Sequence, residues 1–289
     1  MSRVFFLTGA SRGLGRAIAE AVLNRGHRLV ATARDPRSLG DLVASHGDRI
    51  LALALDVTDP AAAQTAIAAG VERFERIDVV VNNAGYADLA SVEDVTLGDF
   101  RSQIDTNLFG VVYVTKAALP ILRVQGGGHI IQVSSIGGRL ATAGLSAYQS
   151  AKWAVGGFSS VLAAEVAPLG IRVTVLEPGG IDTDWAGSSM QVPPISEPYR
   201  ATVGASAAIH NSDAVALGVP AKIARVVLQI AGMDDPPLRL ILGSEAYAYA
   251  TAAARAQAAS DVRWHQISIS TDRDDATDVQ RDPLGAGSP

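Results

Sequence analysis

The sequence predicts an α/β fold of the Rossmann type: a doubly wound parallel sheet of about seven strands with helices on both faces. Short, almost continuously apolar runs alternate with longer helical patterns along the chain. Runs of this kind are typical of strands that are buried on both faces. The first run leads through a glycine-rich turn into a helical pattern, and a chain of 289 residues with 48% hydrophobic content can bury the core that such a sheet requires.

Strands are predicted at the apolar runs 4–7, 28–33, 50–55, 78–82, 129–134, 171–176 and 238–242. The first helix follows Gly15, and two more are expected to begin near Pro36 and Pro60, because proline is favoured in the first turn of a helix. Later helices are predicted over 220–231 and from Ser244 to Ala259.

No linker interrupts the chain before its C-terminal part, so one domain is expected over residues 1–270. From about Thr271 to Pro289 the composition shifts to Asp, Arg, Gly and Pro, with little to bury. This composition predicts a disordered tail over 271–289.

The glycine-rich turn lies at the first strand-to-helix junction, in the spacing G-x-x-x-G-x-G. Its glycines allow a tight turn that a pyrophosphate can approach, and the N–H groups of the following helix can bind that anion. Three glycines could also form an ordinary turn, but their position favours a dinucleotide site. The predicted contacts are Gly9, Ser11, Arg12, Gly13, Leu14 and Gly15.

Tyr148 and Lys152 are four residues apart, with Ser135 thirteen positions before Tyr148. On a helix such a pair shares one face, so Lys152 is expected to stabilise the phenolate and lower the pKa of Tyr148 toward neutrality. A tyrosine with that pKa can donate or accept a proton at working pH. The same spacing also occurs by chance on solvated helix faces, and the other motifs of the chain favour the functional interpretation.

These motifs together resemble the short-chain dehydrogenase/reductase family, in its single-domain form, over roughly residues 3 to 260. The resemblance is carried by the glycine spacing, Asn82-Asn83-Ala84-Gly85, Asn107, Ser134-Ser135, the Tyr148/Lys152 pair and Pro178-Gly179-Gly180-Ile181-Asp182-Thr183. It implies a catalytic tetrad of Asn107, Ser135, Tyr148 and Lys152.

In the implied reaction, hydride passes between a nicotinamide and a carbonyl carbon while Tyr148 exchanges a proton with the oxygen. The resemblance implies that Ser135 binds the carbonyl oxygen, Lys152 the nicotinamide ribose, and Asn107 a water. It also implies cofactor contacts at Asp56, Val57, Asn83, Ala84, Gly85, Tyr148, Lys152, Pro178, Gly179, Ile181 and Thr183. For Asp56 a helix cap is an alternative, and for the Asn83–Gly85 stretch a plain turn.

The end of the second predicted strand favours NADP(H) over NAD(H). Ala33 occupies the position at which NAD-selective members of the family carry an acid, and Arg34 follows it. With Arg12, Arg34 could bind a 2′-phosphate by charge-assisted hydrogen bonds. Asp35 leaves an alternative open, because it could face the ribose in another register or cap the helix that begins near Pro36.

The segment 184–219 lacks sustained periodicity and is predicted to be a substrate loop. Its apolar side chains, among them Trp185 and Met190, favour a hydrophobic or aromatic carbonyl or alcohol as substrate. They could equally serve to pack the loop onto the body.

Composition excludes several other classes of function. The net charge of -5 and a pI near 5.5 predict no nucleic-acid partner and no anionic membrane surface. The chain has no cysteine, its five histidines are far apart, and no apolar run reaches about 18 residues, so neither a metal site nor a membrane span is expected. The N-terminus enters its first strand too soon for a secretory signal, and a cytoplasmic protein is expected.

The resemblance further implies a homodimer or homotetramer, formed through helix pairs that include the helix of Tyr148. An epimerase or dehydratase on the same scaffold and a non-catalytic NADP(H) sensor remain alternatives to a dehydrogenase or ketoreductase.

Overall fold

The computed structural model describes residues 2–183, 190–210 and 216–285. Within these residues seven parallel strands form one sheet in the order β3-β2-β1-β4-β5-β6-β7. The strands are β1 Val4–Leu7, β2 Arg28–Ala33, β3 Ile50–Ala54, β4 Val79–Asn82, β5 Gly128–Val133, β6 Ile171–Pro178 and β7 Arg239–Leu242. This topology confirms the predicted doubly wound sheet. The strand order reverses between β1 and β4, and such folds bind their ligands at this switch point.

Helices cover both faces of the sheet. The described α-helices are α1 Gly13–Asn24, α2 Gly40–His46, α3 Pro60–Phe74, α4 Leu97–Ile104, α5 Gly110–Val124, α6 Ser146–Val166, α7 Ala205–His210, α8 Pro220–Ala231, α9 Ser244–Ile269 and α10 Asp278–Arg281. Side chains alternate between the two faces of a strand. In β1, Phe5 and Leu7 therefore pack with α1, α2 and α8, whereas Val4 and Phe6 pack with α3, α5 and α6.

Several helices depart from their predicted bounds. Helix α9 continues ten residues beyond Ala259 because neither glycine nor proline interrupts the chain before Ile269. The predicted loop contains helical turns at Glu197–Tyr199 and Arg200–Gly204 followed by α7, and each is too short to give a periodic pattern. The predicted disordered tail contains the one-turn helix α10, capped by Thr277. None of the described tail residues is buried, and disorder there stays a prediction.

Helices α4 and α5 join through a π-helical turn at Asp105–Phe109 into one long stretch. Residues Leu97–Val124 are long and apolar enough to cross a membrane by length and composition alone. In this protein Val114, Ala118 and Leu122 of the stretch are buried against the sheet. The stretch is therefore a core helix of the α/β fold.

Candidate active site

The glycine-rich turn between β1 and α1 is closely packed against the end of β4. Gly9 and Gly13 have φ angles of +67° and +55°, which only glycine adopts without strain. A Cβ atom on Gly15 would lie 2.0 Å from the carbonyl oxygen of Gly9. Arg12 precedes α1 without capping it through its side chain, so the first N–H groups of α1 suit an anion such as pyrophosphate.

Thr8 holds this turn against the end of β4 by hydrogen bonds, and it was not among the predicted site residues. Its buried hydroxyl accepts hydrogen bonds from the backbone N–H groups of Asn83, at 2.9 Å, and Ala84, at 3.0 Å. The Asn83 side chain donates in return to the carbonyl oxygens of Thr8 and Gly9, both at 3.1 Å. The predicted residues Asn83, Ala84 and Gly9 thus come together, and Thr8 could have been suspected from its place directly after β1.

The end of β2 presents cationic side chains. Ala33 is the last residue of β2, as the predicted strand bounds 28–33 have it, and pairs with Ala54. Asp35 accepts from the Arg37 backbone N–H at 3.0 Å and forms an ion pair with the Arg37 guanidinium at 2.8 Å. Hydrogen bonds from Arg37 lower the pKa of the Asp35 carboxyl. Asp35 is therefore a helix cap, in keeping with one of its two predicted alternatives.

Arg34 and Arg12 are both exposed, and within the described part of the chain neither guanidinium has a hydrogen-bond or ion-pair partner. Arg34 lies close enough to Asp56 for its charge to contribute to that carboxyl's lowered pKa, after the hydrogen bonds from the Thr58 N–H and hydroxyl. Arg34, directly after β2, and Arg12, in the glycine-rich turn, are therefore both available to an anion.

Asp56 and Val57 follow β3 as predicted. The Asp56 carboxylate accepts from the backbone N–H of Thr58 at 2.9 Å, whereas Asp59, three residues later, caps α3. Val57 is buried and packs closely on Gly110: a Cβ atom added to Gly110 would lie only 2.6 Å from Val57 Cγ2. The helix-cap alternative for Asp56 is thus wrong, because Asp59 has that role.

Tyr148 and Lys152 are buried one turn apart on α6, with Lys152 Nζ 5.5 Å from the centroid of the Tyr148 ring. Lys152 Nζ donates to the Val133 carbonyl oxygen at 3.0 Å. Burial raises the pKa of Tyr148 to about 12, against the opposing effect of its hydrogen bond to Ser135. Burial also lowers the pKa of Lys152 to about 8.

The expectation that Lys152 lowers the pKa of Tyr148 toward neutrality is therefore not met in this structure. Removing the phenol from water disfavours its charged form, and this effect exceeds the stabilisation from its neighbours. Near neutral pH the site holds a protonated phenol, which is the form that can donate a proton.

Ser135 lies beside the phenol. Its hydroxyl is hydrogen-bonded to Tyr148 and accepts from the backbone N–H of Gly137 at 3.0 Å, which caps a short turn after β5. The preceding Ser134 instead donates to the Lys152 carbonyl oxygen at 3.3 Å. Ser135 is thus the serine that the structure brings to Tyr148, as predicted.

Asn107 lies in the π-helical turn between α4 and α5 and is fully buried. Its amide nitrogen donates to the carbonyl oxygens of Tyr86, at 2.8 Å, and Gln103, at 2.9 Å. Among the described residues, Asn107 Oδ1 has no hydrogen-bond partner. A Cβ on Gly85 would lie 2.6 Å from this oxygen and 3.5 Å from Lys152 Nζ, so all three residues converge as predicted. A buried acceptor beside an ammonium suits a bridging water.

The segment after β6 returns to the glycine-rich turn. The Gly179 N–H donates to the Leu242 carbonyl oxygen at 3.1 Å, and Ile181 bridges to Gly218. A Cβ on Gly13 would lie 3.5 Å from Thr183 Cβ. Thr183, at the end of this stretch, therefore lies beside the glycine-rich turn.

An ion-pair cluster around buried Glu177 joins β6 to the turn after β5 and to β7, and it was not predicted from the sequence. Glu177, fully buried next to Pro178, binds Arg139 at 2.7 Å and Arg239 at 2.6 Å. Arg139 follows the turn that Ser135 caps, and Arg239 begins β7. A glutamate at a buried position near the end of β6 is the signal that could have indicated this cluster.

An apolar cluster of side chains packs with the ring of Tyr148. Its buried members are Ala87, Leu89, Leu145, Tyr148, Met190, Val203 and Ala207. Three of them come from 190–210, the described part of the predicted substrate loop. Trp185 lies outside the described residues. Among those that are described, no group of His, Cys, Asp or Glu side chains is placed to hold a metal ion.

Comparisons with known proteins agree with this geometry. A family model described as short chain dehydrogenase matches residues 3–192. The chain is 58% identical over 273 residues to Oxidoreductase BOA17 of Botryotinia fuckeliana, covering 94% of this chain and all of that protein (100%).

Solved structures show the same relationship. A short-chain dehydrogenase from Streptomyces avermitilis matches with a TM-score of 0.89 and 36% identity, covering 94% of this chain and 98% of that one. An alcohol dehydrogenase from Thermococcus sibiricus, complexed with 5-hydroxy-NADP, matches with a TM-score of 0.70 and 28% identity, covering 84% and 96%.

Proposed function

This chain belongs to the short-chain dehydrogenase/reductase family and is an oxidoreductase of that family, and from this premise we propose a specific activity. The protein interconverts a carbonyl and a secondary alcohol on a hydrophobic or aromatic small molecule, with NADP(H) as cofactor. The observation that carries the proposal is the hydrogen-bonded pair of Ser135 and Tyr148 beside the apolar cluster, with Lys152 one helical turn away.

The cofactor supplies or accepts the hydride, and the protein supplies position and a proton. Ser135 holds the carbonyl oxygen beside the Tyr148 hydroxyl, and Tyr148 donates its proton to that oxygen as the carbon is reduced. A pKa of about 12 keeps the phenol protonated before the reaction. Charged Lys152 stabilises the phenolate that results, and Asn107 Oδ1 holds the water through which the proton is replaced.

The preference for NADP(H) is supported by Arg34 and Arg12, whose guanidinium groups are available to a 2′-phosphate, and by Asp35, whose carboxylate is engaged by Arg37. A related alcohol dehydrogenase was solved with an NADP derivative. The turn from Gly9 to Gly15 would hold the pyrophosphate, Asp56 and Val57 the adenine, and Thr183 the nicotinamide carboxamide.

The substrate class is supported by the apolar cluster around Tyr148, whose buried members apart from Tyr148 carry no polar side-chain atom except the Met190 sulfur. A sugar or a small acid would leave its polar groups unpaired against such a wall. An apolar ketone, aldehyde or quinone would bury its body there and present its carbonyl oxygen to Ser135.

A homodimer or homotetramer is proposed through α6 and the helix beside it. On α6, Trp153 is 54% exposed and Val161 is 60% exposed, and Phe109, at the turn before α5, is 41% exposed. Apolar side chains of this size are typical of protein interfaces. A cytoplasmic location stays a prediction from the sequence.

The first test is NADPH oxidation against a panel of hydrophobic ketones, aldehydes and quinones, repeated with NADH and with the Tyr148→Phe variant. Turnover that prefers NADPH and is lost in Tyr148→Phe is expected. Product formation without net NADPH consumption would instead indicate an epimerase or dehydratase. Tight NADPH binding without any turnover across the panel would count against the proposed substrate class and favour a sensor.

A further inference from the structure

Gln103 is a buried polar side chain of α4 that has no part in the proposed reaction. It is 1% exposed and lies one turn before Asn107. Its Oε1 atom accepts a hydrogen bond from the backbone N–H of Asp88 at 3.0 Å. Because a buried amide is unfavourable without partners, this bond fixes the chain at Asp88 relative to α4.

The segment 86–88 is held at two points. Asn107 donates to the Tyr86 carbonyl oxygen at 2.8 Å, and Gln103 accepts from the Asp88 N–H at 3.0 Å. The second amide hydrogen bond of Asn107 goes to the Gln103 carbonyl oxygen at 2.9 Å. With its nitrogen engaged in this way, Asn107 presents Oδ1 toward Gly85 and Lys152.

Asp88 extends this hydrogen-bonded path to the predicted substrate loop. Its Oδ1 atom accepts from the backbone N–H of Gln191 at 2.9 Å, and the neighbouring Leu89 N–H donates to the Gln191 carbonyl oxygen at 2.9 Å. Leu89 and Met190 both belong to the apolar cluster around Tyr148. A continuous path therefore runs from Gln191 through Asp88 and Gln103 to Asn107.

Residues 196–199 of the loop also form hydrogen bonds to Glu93 and Asp94, all of them at the surface. The Ser196 N–H donates to Asp94 at 3.2 Å, and the Ser196 hydroxyl bonds the same carboxylate. The Tyr199 hydroxyl donates to Glu93 at 2.6 Å. Asp94 in turn is hydrogen-bonded to buried Ser91, whereas the bonds at Asp88 lead on to Gln103 and so toward Asn107.

We propose that Gln103 is a positioning residue that couples docking of the segment 190–199 to the orientation of the Asn107 amide. The inference rests on the proposed function, in which this segment covers the substrate. A substrate that packs against Leu89 and Met190 favours the docked segment, and Gln191 then fixes Asp88. Gln103 and Tyr86 in turn hold Asn107 with Oδ1 beside Lys152, so that proton replacement is complete only under a docked loop.

Hydrogen exchange followed by mass spectrometry tests the coupling without any substrate. The variants, each with NADPH added, are Gln103→Met, which keeps length but removes the acceptor, Asp88→Ala, and Asp88→Asn, which keeps an acceptor oxygen. Ser102→Ala, on the exposed side of α4, is the matched control. Faster exchange over 190–199 is expected in Gln103→Met and Asp88→Ala, with near wild-type exchange in Asp88→Asn and Ser102→Ala.

Unchanged exchange over 190–199 in folded Gln103→Met would overturn the coupling. If that variant does not fold, the two Asp88 variants test the coupling instead. Equal exchange over 190–199 in Asp88→Ala and Asp88→Asn would show that the Asp88–Gln191 hydrogen bond does not hold the segment, and would refute the proposed path. These outcomes do not depend on finding a carbonyl substrate, so a failure of the proposed function is recognised separately.

Kinetics distinguish positioning from general destabilisation. Gln103→Met is expected to lower kcat by about tenfold with the NADPH Kd changed by less than about twofold, because one hydrogen bond is lost remote from the cofactor. Asp88→Ala is expected mainly to raise the KM of the carbonyl substrate, with Asp88→Asn restoring it. A parallel loss of NADPH binding and turnover in Gln103→Met would overturn the positioning role.

Discussion

Lys152 Nζ lies 5.5 Å from the centroid of the Tyr148 ring, one turn further along α6, and donates to the Val133 carbonyl oxygen at 3.0 Å. This hydrogen bond to a backbone carbonyl of β5 holds the ammonium close to the Tyr148 ring. Both groups are buried, and burial changes their pKa values in opposite directions, to about 12 for Tyr148 and about 8 for Lys152. Near neutrality the phenol is protonated and the amine is charged.

The pH dependence of carbonyl reduction follows from these values. Reduction requires protonated Tyr148 and charged Lys152, and the Lys152 pKa of about 8 is the lower of the two. We expect kcat/KM for reduction to fall as the pH rises through about 8, whereas alcohol oxidation, which starts from the phenolate beside charged Lys152, should rise up to about pH 8 and then level off.

The measurement is kcat/KM for both directions between about pH 6 and pH 10. Lys116→Gln, at an exposed lysine of α5, is the control for the loss of one positive charge. A reduction rate that stays flat across this range would contradict the assignment of Lys152.

Cofactor choice should depend on Arg34. Replacing it with alanine removes a charge-assisted bond to a 2′-phosphate, which is worth roughly a tenfold to hundredfold change in the NADPH KM. The NADH KM should hardly change, because NADH lacks this phosphate. Arg37→Ala is the matched control, since Arg37 is equally exposed but paired with Asp35. Equal effects of Arg34→Ala on both cofactors would refute the assignment.

Gly15→Ala should disrupt the pyrophosphate turn. The added methyl group would lie 2.0 Å from the Gly9 carbonyl oxygen and 2.5 Å from Asn83 Nδ2, so the turn has to move. We expect a loss of about 1–3 kcal/mol in the free energy of unfolding, together with weaker NADPH binding.

Gly40→Ala is the control for Gly15→Ala, because a Cβ at Gly40 meets open space and its φ of -59° suits alanine. Urea unfolding and NADPH titration of both variants provide the measurement. A Gly15→Ala protein that binds NADPH as tightly as wild type would show that the turn does not constrain the cofactor in this way.

The sheet could be predicted from the sequence because its strands are continuous apolar runs, and their ends mark the carboxyl edge at which the site forms. Predicted strand bounds such as 171–176 fall within two residues of the observed β6, Ile171–Pro178. The tetrad was implied by the resemblance to the short-chain dehydrogenase/reductase family, and the structure brings its four residues together.

Contacts between distant residues could not be predicted in this way. Glu177 meets Arg139 and Arg239 from 38 and 62 positions away, and no local pattern encodes such a partnership. The pKa of Tyr148 was misjudged for a related reason. The i, i+4 rule gives the position of Lys152. How completely the phenol is buried depends on the apolar cluster around it, which includes Leu89, Met190 and other residues distant in sequence.

His129 provides a prediction about stability that is independent of catalysis. It is fully buried in β5, and one ring nitrogen, Nε2, lies 2.9 Å from the Thr174 hydroxyl on β6. Burial first, and then the charges of Arg172 and Arg3, lower its pKa from 6.5 to about 3. The folded protein therefore keeps the imidazole neutral at pH values at which the unfolded chain binds a proton.

The sign of the effect follows from that difference. The unfolded chain begins to take up the proton as the pH falls through 6.5, and the folded chain does so only near 3, so stability is lost within this window. The contribution approaches about 1.4 kcal/mol per pH unit. His129→Gln, which retains an amide for Thr174 but does not titrate, should lose stability less steeply than wild type between 6.5 and about 5.

Urea unfolding across this pH range measures both slopes, and His265→Gln, at an exposed histidine of α9, is the control for removing one imidazole. The comparison concerns the slope, because His129→Gln can also change stability at neutral pH through packing. Parallel curves for wild type and His129→Gln would mean that His129 is not held neutral by the folded protein, and would require Nδ1 to have a partner that stabilises the protonated ring.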